Sequence, residues 1–360
     1  MIVLFTSNTS GGIIQFISQV FNELVDMGYE TKVFLPDDAQ VHIENRYLKY
    51  IVRYNKIKTI NVYSKRIGEI ANCIEKDKPE YVWFFDNAIL SSEIGLRLSK
   101  KVKKILTMHD AGGVHPSNDE SIKVKMHRIF ENKLSCIFES KVDNVLVLSN
   151  ESRKKYEKLN PEMKNKIVKI NLGAHVPDVN TERVREVSFQ EYILFFGRID
   201  KYKGLENLFR AFSAYSGKYS LVVAGKGEFT NSEKDLIKSD HRIVIVNRYL
   251  DDGEMIWLFK NARALVLPYI EATQSGIIPI AYKYAKPVIV SNVPGLTQFV
   301  SEGETGYISR NIEELTNAFI AIENEDMYLK MKKKCLDYYN RELEWKKNLT
   351  ILLNELKIVK

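Results

Sequence analysis

Short apolar runs alternate with longer amphipathic stretches along nearly the whole chain, and few architectures accept that alternation. A strand covered on both faces reads as a continuous apolar run, and parallel strands need a crossover between them, so the repeat predicts βα units built on parallel sheets. In the first half the runs predict strands over 2–5, 31–35, 81–85, 104–107 and 144–148, with helices that include 12–27 and 65–76. The second half predicts strands over 192–196, 219–224, 243–246, 264–267 and 287–290, with helices that include 204–215, 252–260, 277–284 and 312–323.

A chain of 360 residues exceeds what one core usually holds, so two domains are expected. The stretch 171–190 has Gly173, Pro177, many charges and no clear period, and reads as the connection between them. The domains are therefore 1–170 and 171–342. Beyond them, Leu343, Trp345, Leu349, Ile351, Leu352, Leu353 and Leu356 give the last stretch more apolar surface than a free tail exposes, so 343–360 is expected to be a helix packed back on the first domain.

Composition removes several classes. With 45% hydrophobic and 28% charged residues the chain is neither disordered nor collagenous. Cys73, Cys136 and Cys335 lack metal-site or redox-motif spacing and fit reduced thiols, hence a cytoplasmic setting. The opening apolar run is too short for a signal peptide, and nothing approaches the roughly 18 apolar residues of a membrane span. The formal net charge of +7 gathers at Arg46, Lys49, Arg53, Lys56, Lys58, Lys65 and Arg66, with no acid among them. That run reads either as a solvated face or as a contact for an anionic acceptor or an anionic membrane surface at the inner face of the cell membrane. No nucleic-acid motif accompanies it.

Four segments carry chemistry. The first strand leads through Thr6-Ser-Asn-Thr-Ser to Gly11-Gly12 and straight into a helix, a turn where backbone and ligand can approach; it is not a GxGxxG fingerprint. His109 and Asp110 follow another strand at the same sheet edge. In the second half, Gly197-Arg198 and Lys203-Gly204 follow a buried strand, where open α/β sheets bind ligands, and two cations there suit a diphosphate. Thr273-Gln274-Ser275-Gly276 opens an apolar helix at Ile277, a second place for phosphate at backbone N–H groups.

Together with Ala224-Gly-Lys-Gly227 and Lys286-Pro-Val, these segments resemble the retaining glycosyltransferases of the GT-B class, family 4 (glycosyl transferases group 1), over nearly the whole chain. The resemblance implies a GT-B fold, two doubly wound parallel-sheet Rossmann-like domains facing a central cleft. It implies a metal-independent glycosyltransferase of hexosyltransferase type with no cofactor, using a nucleotide diphosphate-sugar, a UDP- or GDP-sugar foremost, as co-substrate. The acceptor would be a hydroxyl of a glycan or lipid-linked molecule in bacterial surface polysaccharide or glycoconjugate synthesis. By the same resemblance His109, Arg198 and Lys203 are catalytic. Gly11, Gly12, Asp110, Gly197 and 273–277 line the donor, Arg248 and Tyr249 are expected at the base, and no metal site is implied.

One departure stands out. Such enzymes usually carry two glutamates separated by seven residues in the third segment. If Glu271 is the first, the second position is Pro279; registered from Lys286-Pro-Val, the pair falls on Ala272 and Ile280. The ribose carboxylate is absent either way. Two other functions fit the same architecture: a nucleotide-sugar epimerase, which needs further acid and base carboxylates, and a catalytically impaired nucleotide-sugar-binding protein.

Overall fold

The computed structural model describes residues 1–41, 43, 45–55, 65–109, 122–177 and 179–359, leaving aside the side chains of 45 and 122–128. It forms two compact units, Met1–Asn171 with Trp345–Lys360, and Leu172–Glu344. Asp110, Lys56 and Lys58 lie outside the described residues.

The first unit runs β1 (Ile2–Phe5), α1 (Gly12–Asp26), β2 (Thr31–Pro36), β3 (Ile51–Tyr54), α2 (Lys65–Lys76), β4 (Tyr81–Phe84), α3 (Ile89–Arg97), β5 (Lys103–Met108), α4 (Ile122–Lys141), β6 (Asn144–Val147), α5 (Asn150–Leu159) and β7 (Ile167–Lys169). Its seven parallel strands lie in the order β3-β2-β1-β4-β5-β6-β7. The strand order reverses between β1 and β4, and open α/β sheets bind ligands at the carboxyl ends beside such a point. Helix α1 turns Ile14, Ile17, Phe21 and Leu24 inward at helical spacing, each buried apolar side chain stabilising by about 1.5–3 kcal/mol.

In the second unit the chain runs β8 (Tyr192–Phe196), α6 (Leu205–Ala214), β9 (Leu221–Ala224), α7 (Asn231–Ser239), β10 (Ile243–Val246), α8 (Asp252–Asn261), β11 (Ala262–Leu267), α9 (Ile277–Lys283), β12 (Val288–Ser291), α10 (Pro294–Thr297), β13 (Gly306–Ser309), α11 (Ile312–Ala321) and α12 (Glu325–Tyr338). The order β10-β9-β8-β11-β12-β13 reverses between β8 and β11. β11 is buried throughout, Arg263 included. That guanidinium is accommodated because it donates to the Ile322 carbonyl, pairs with Glu191 and Glu325, and lies 3.3 Å from the centre of the Tyr328 ring.

The chain then rejoins the first unit as α13 (Trp345–Glu355), where Trp345 stacks on Phe16 at 5.5 Å between ring centres.

All strands interior to either sheet fall in the apolar runs. Three strands do not: β3, β7 and β13, each at a sheet edge. An edge strand is covered less completely and needs no continuous apolar run; β3 exposes Arg53 in its middle. That arginine also changes the reading of the basic run. Its Nη1 donates to the carbonyls of Pro36, Asp37 and Ala39, and Arg46 pairs with Asp26 at 3.2 Å. Part of the run thus anchors its own unit.

Candidate active site

At the second unit's reversal point, the exits of β8 and β11 lie side by side. Past β8, Gly197 takes φ +139° and leads to exposed Arg198, then a 3-10 turn over Lys201–Lys203. Gly204 ends that turn in the left-handed region, and a Cβ there would stand 2.0 Å from the Pro268 carbonyl oxygen, so only glycine lets the two exits meet. They are joined by a backbone bond, Ile270 N–H donating to the Tyr202 carbonyl at 2.8 Å.

Lys203 is half-buried in this junction, its amine 3.7 Å from the centre of the Tyr269 ring and 4.7 Å from that of Tyr202. Among the described residues neither Arg198 nor Lys203 has an ion-pair partner. Burial lowers the Lys203 amine to about 8, the neighbouring Arg198 charge adds to the effect, and Asp200 opposes it. Two cations beside each other without a counter-ion form a site for a polyanion.

The turn after β11 completes it. Ser275 is buried and hydrogen-bonded to the Tyr269 side chain. Gln274 Oε1 is buried with no donor among the described residues, which a ligand hydroxyl would satisfy. Helix α9 has only seven residues, so the positive character of this loop comes mostly from the two cations rather than from the helix end. Thr273 is half-buried and Glu271 exposed on the same loop. Gly276, with φ −71°, and Gly12 stand where a Cβ would meet nothing within 4 Å, so neither conformation nor packing demands glycine there. The helix positions of the absent glutamate, Pro279 and Ile280, are buried in the core.

Arg248, expected at the base, is engaged by carboxylates of its own unit. It binds Glu186 through Nε and Nη2 and Glu254 through Nη1 and Nη2, at 2.6–3.1 Å, which occupies its fork and holds both carboxyls below their ordinary range. It is an internal clamp. Tyr249 beside it is 77% exposed, with the Lys226 amine 5.0 Å from its ring centre, and offers a stacking face.

In the first unit, Gly11 with φ +82° and Gly12 start α1 at the carboxyl edge. His109 follows β5 at the same edge; Nε2 donates to the Phe85 carbonyl at 3.0 Å, so that nitrogen carries the proton, and the ring meets Phe16 edge-on. Sequence reasoning missed the centre of this edge, Asp86, which is 6% exposed. Its carboxylate accepts from the hydroxyls of Thr6, Ser7 and Ser91, the side-chain amide of Asn8 and the backbone N–H groups of Ser7 and Ala88. The signal was present: a run of hydroxyl residues past one buried strand and an aspartate past its neighbour. Tyr269 was missed likewise.

Residues 190–325 match the sequence profile of the glycosyl transferases group 1 family. Two relatives are similar in sequence. An uncharacterised glycosyltransferase of Methanocaldococcus jannaschii is 26% identical over 160 residues, 41% of this chain and 41% of that protein. An uncharacterised 41.2 kDa protein in the cps region of Klebsiella pneumoniae is 23% identical over 293 residues, 79% of this chain and 73% of its own. Among solved structures, Anabaena HepE in complex with UDP-glucose is similar in fold over 100% of both chains, with a TM-score of 0.74 at 11% identity.

Proposed function

Because this chain has the GT-B fold and places residues 190–325 in the glycosyl transferases group 1 family, we propose that it transfers a sugar from a nucleoside diphosphate donor to a hydroxyl of a glycan or lipid-linked acceptor, with retention at the anomeric carbon. The observation that carries the proposal is the pair Arg198 and Lys203, two cations with no ion-pair partner among the described residues, at the reversal point of the family-matched unit.

In this reading the donor diphosphate lies against that pair and the 273–277 turn, with the base on Tyr249. The bond from the anomeric carbon to the β-phosphate oxygen breaks and its electron pair goes to the phosphate. Arg198 and Lys203 stabilise the charge developing there, the part a divalent metal plays elsewhere, and the reaction proceeds without one. The acceptor oxygen bonds to the carbon on the face the phosphate leaves, and its proton passes to the β-phosphate oxygen. The UDP-glucose bound by HepE and the cps-region location of the Klebsiella relative support a UDP-sugar and a surface polysaccharide.

Thermal shift with UDP, GDP, ADP and TDP and their sugars tests the donor site. A ligand at about 100 times its Kd adds about 2.7 kcal/mol. Stabilisation by one nucleotide, lost in Arg198→Ala and Lys203→Ala, is expected; no shift with any of them ends the proposal. The buried apolar residues at 279 and 280 favour one second reading, a donor-binding protein that does not turn over, and acceptor-dependent release of nucleotide would rule it out.

A further inference from the structure

Tyr269 touches three parts of the second unit with three parts of itself. The face of its ring holds the Lys203 amine, its hydroxyl is bonded to the side chain of Ser275, and its carbonyl accepts the Ser291 hydroxyl at the end of β12. It is 2% exposed, and the residues on either side of it are pinned as well, Pro268 against Gly204 and Ile270 to Tyr202. The strand that leads to it does not call for a tyrosine: the side chains of β11, which ends two residues earlier, are apolar apart from Arg263, and a phenol at this depth needs a partner that Ser275 supplies.

A lysine at a phosphate site presents a conflict. Its four-carbon stem has about 2 kcal/mol of rotamer freedom, which must be restricted before the amine can meet a ligand at a set distance. A carboxylate would hold the amine but also neutralise it. An aromatic face within about 6 Å attracts the ammonium while leaving its net charge to act on an arriving anion.

We infer that Tyr269 is a positioning residue for the donor diphosphate: its ring presents the Lys203 amine, and its hydroxyl fixes the Ser275 turn at a set distance from that amine, so that both reach the same phosphate group. The inference rests on the reading that Lys203 binds the donor.

The test is a double-mutant cycle on the intact protein. Affinities are measured by calorimetry for the nucleoside diphosphate that stabilises the parent, UDP being the first probe, and for the matching monophosphate. Tyr269→Leu is expected to weaken the diphosphate about tenfold, the scale of a partly desolvated cation–π contact, and to leave the monophosphate within about twofold. Tyr269→Phe, which keeps the ring, should recover most of that loss and guards against a Leu variant that fails to fold. Combined with Lys203→Ala, Tyr269→Leu should cost no more than the small loss that Tyr269→Phe alone produces through Ser275. Full additivity with Lys203→Ala, or equal weakening of diphosphate and monophosphate, would overturn the inference while leaving the donor site standing. A parent that binds no nucleoside diphosphate, or a Lys203→Ala variant that binds as the parent does, would remove the functional reading and the inference with it.

Discussion

The Asp86 carboxylate accepts the Thr6 hydroxyl at 2.6 Å across 80 residues of chain, and by this bond the exit of β4 holds the exit of β1. Five further donors converge on the same two oxygens. Asp86→Ala leaves them unpaired at a buried position and is expected to destabilise the protein by about 3 kcal/mol or more, read from urea unfolding. Asp86→Asn should do little better, because an amide offers one acceptor oxygen and turns two donors toward donors. An Asn variant as stable as the parent would show that the charge is not what the loop requires.

Two opposite pH responses are expected from Lys203. Folding lowers its amine from 10.5 to about 8, so the folded protein carries a penalty for the charged form that is complete below pH 8 and relieved as pH rises from 8 toward 10.5. Stability of the ligand-free protein gains from this group over that window. Affinity for a nucleoside diphosphate moves the other way, falling as the amine loses its proton above pH 8. Lys286, lowered to about 8 chiefly by burial, adds to the first response only, since it precedes β12 at the amino end of the sheet. Isothermal titration from pH 7 to 9.5 should show the fall in the parent and none in Lys203→Met.

Gln274 is expected to trade stability for binding. Its buried Oε1 has no donor among the described residues, and replacing it by Met removes that unsatisfied group at nearly equal volume. The ligand-free Tm should hold or rise, by an amount equivalent to about 1 kcal/mol, while the shift produced by a nucleotide sugar shrinks. A lower Tm with an unchanged ligand shift would make Gln274 an ordinary structural residue.

Arg248→Met should separate structure from recognition. Glu186 and Glu254 lose the guanidinium that holds them, and destabilisation of about 1–3 kcal/mol is expected in chemical denaturation. Nucleotide affinity should change less than twofold when measured well below the new Tm, whereas Tyr249→Ala should weaken a nucleoside diphosphate by about 1–3 kcal/mol through lost stacking.

What could be read from the sequence divides along physical lines. β1, β4 and β8 are legible because both faces of each are covered and the apolar run is unbroken; β3, β7 and β13 are not, because an edge strand shares its surface with water. Arg198 and Lys203 are legible because charge placed just past a buried strand has few structural uses. The roles of Asp86 and Tyr269 consist of contacts between separate loops, and no local spacing reports them. Arg248 is the converse case: it follows β10 as a ligand contact would, but one of its carboxylates, Glu186, comes 62 residues earlier in a stretch that reads as a linker.

Helix α13 also bears on how the molecule is made. The second unit is one continuous stretch, Leu172–Glu344, whereas the first is completed only when Trp345 and the residues after it have been added. On a ribosome the later unit is therefore fully synthesised while Phe16 still lacks its stacking partner, so the first unit cannot finish folding before the second has been made. A nascent chain held just past Glu344 would present the uncovered face of α1 to chaperones until Trp345 arrives to cover Phe16.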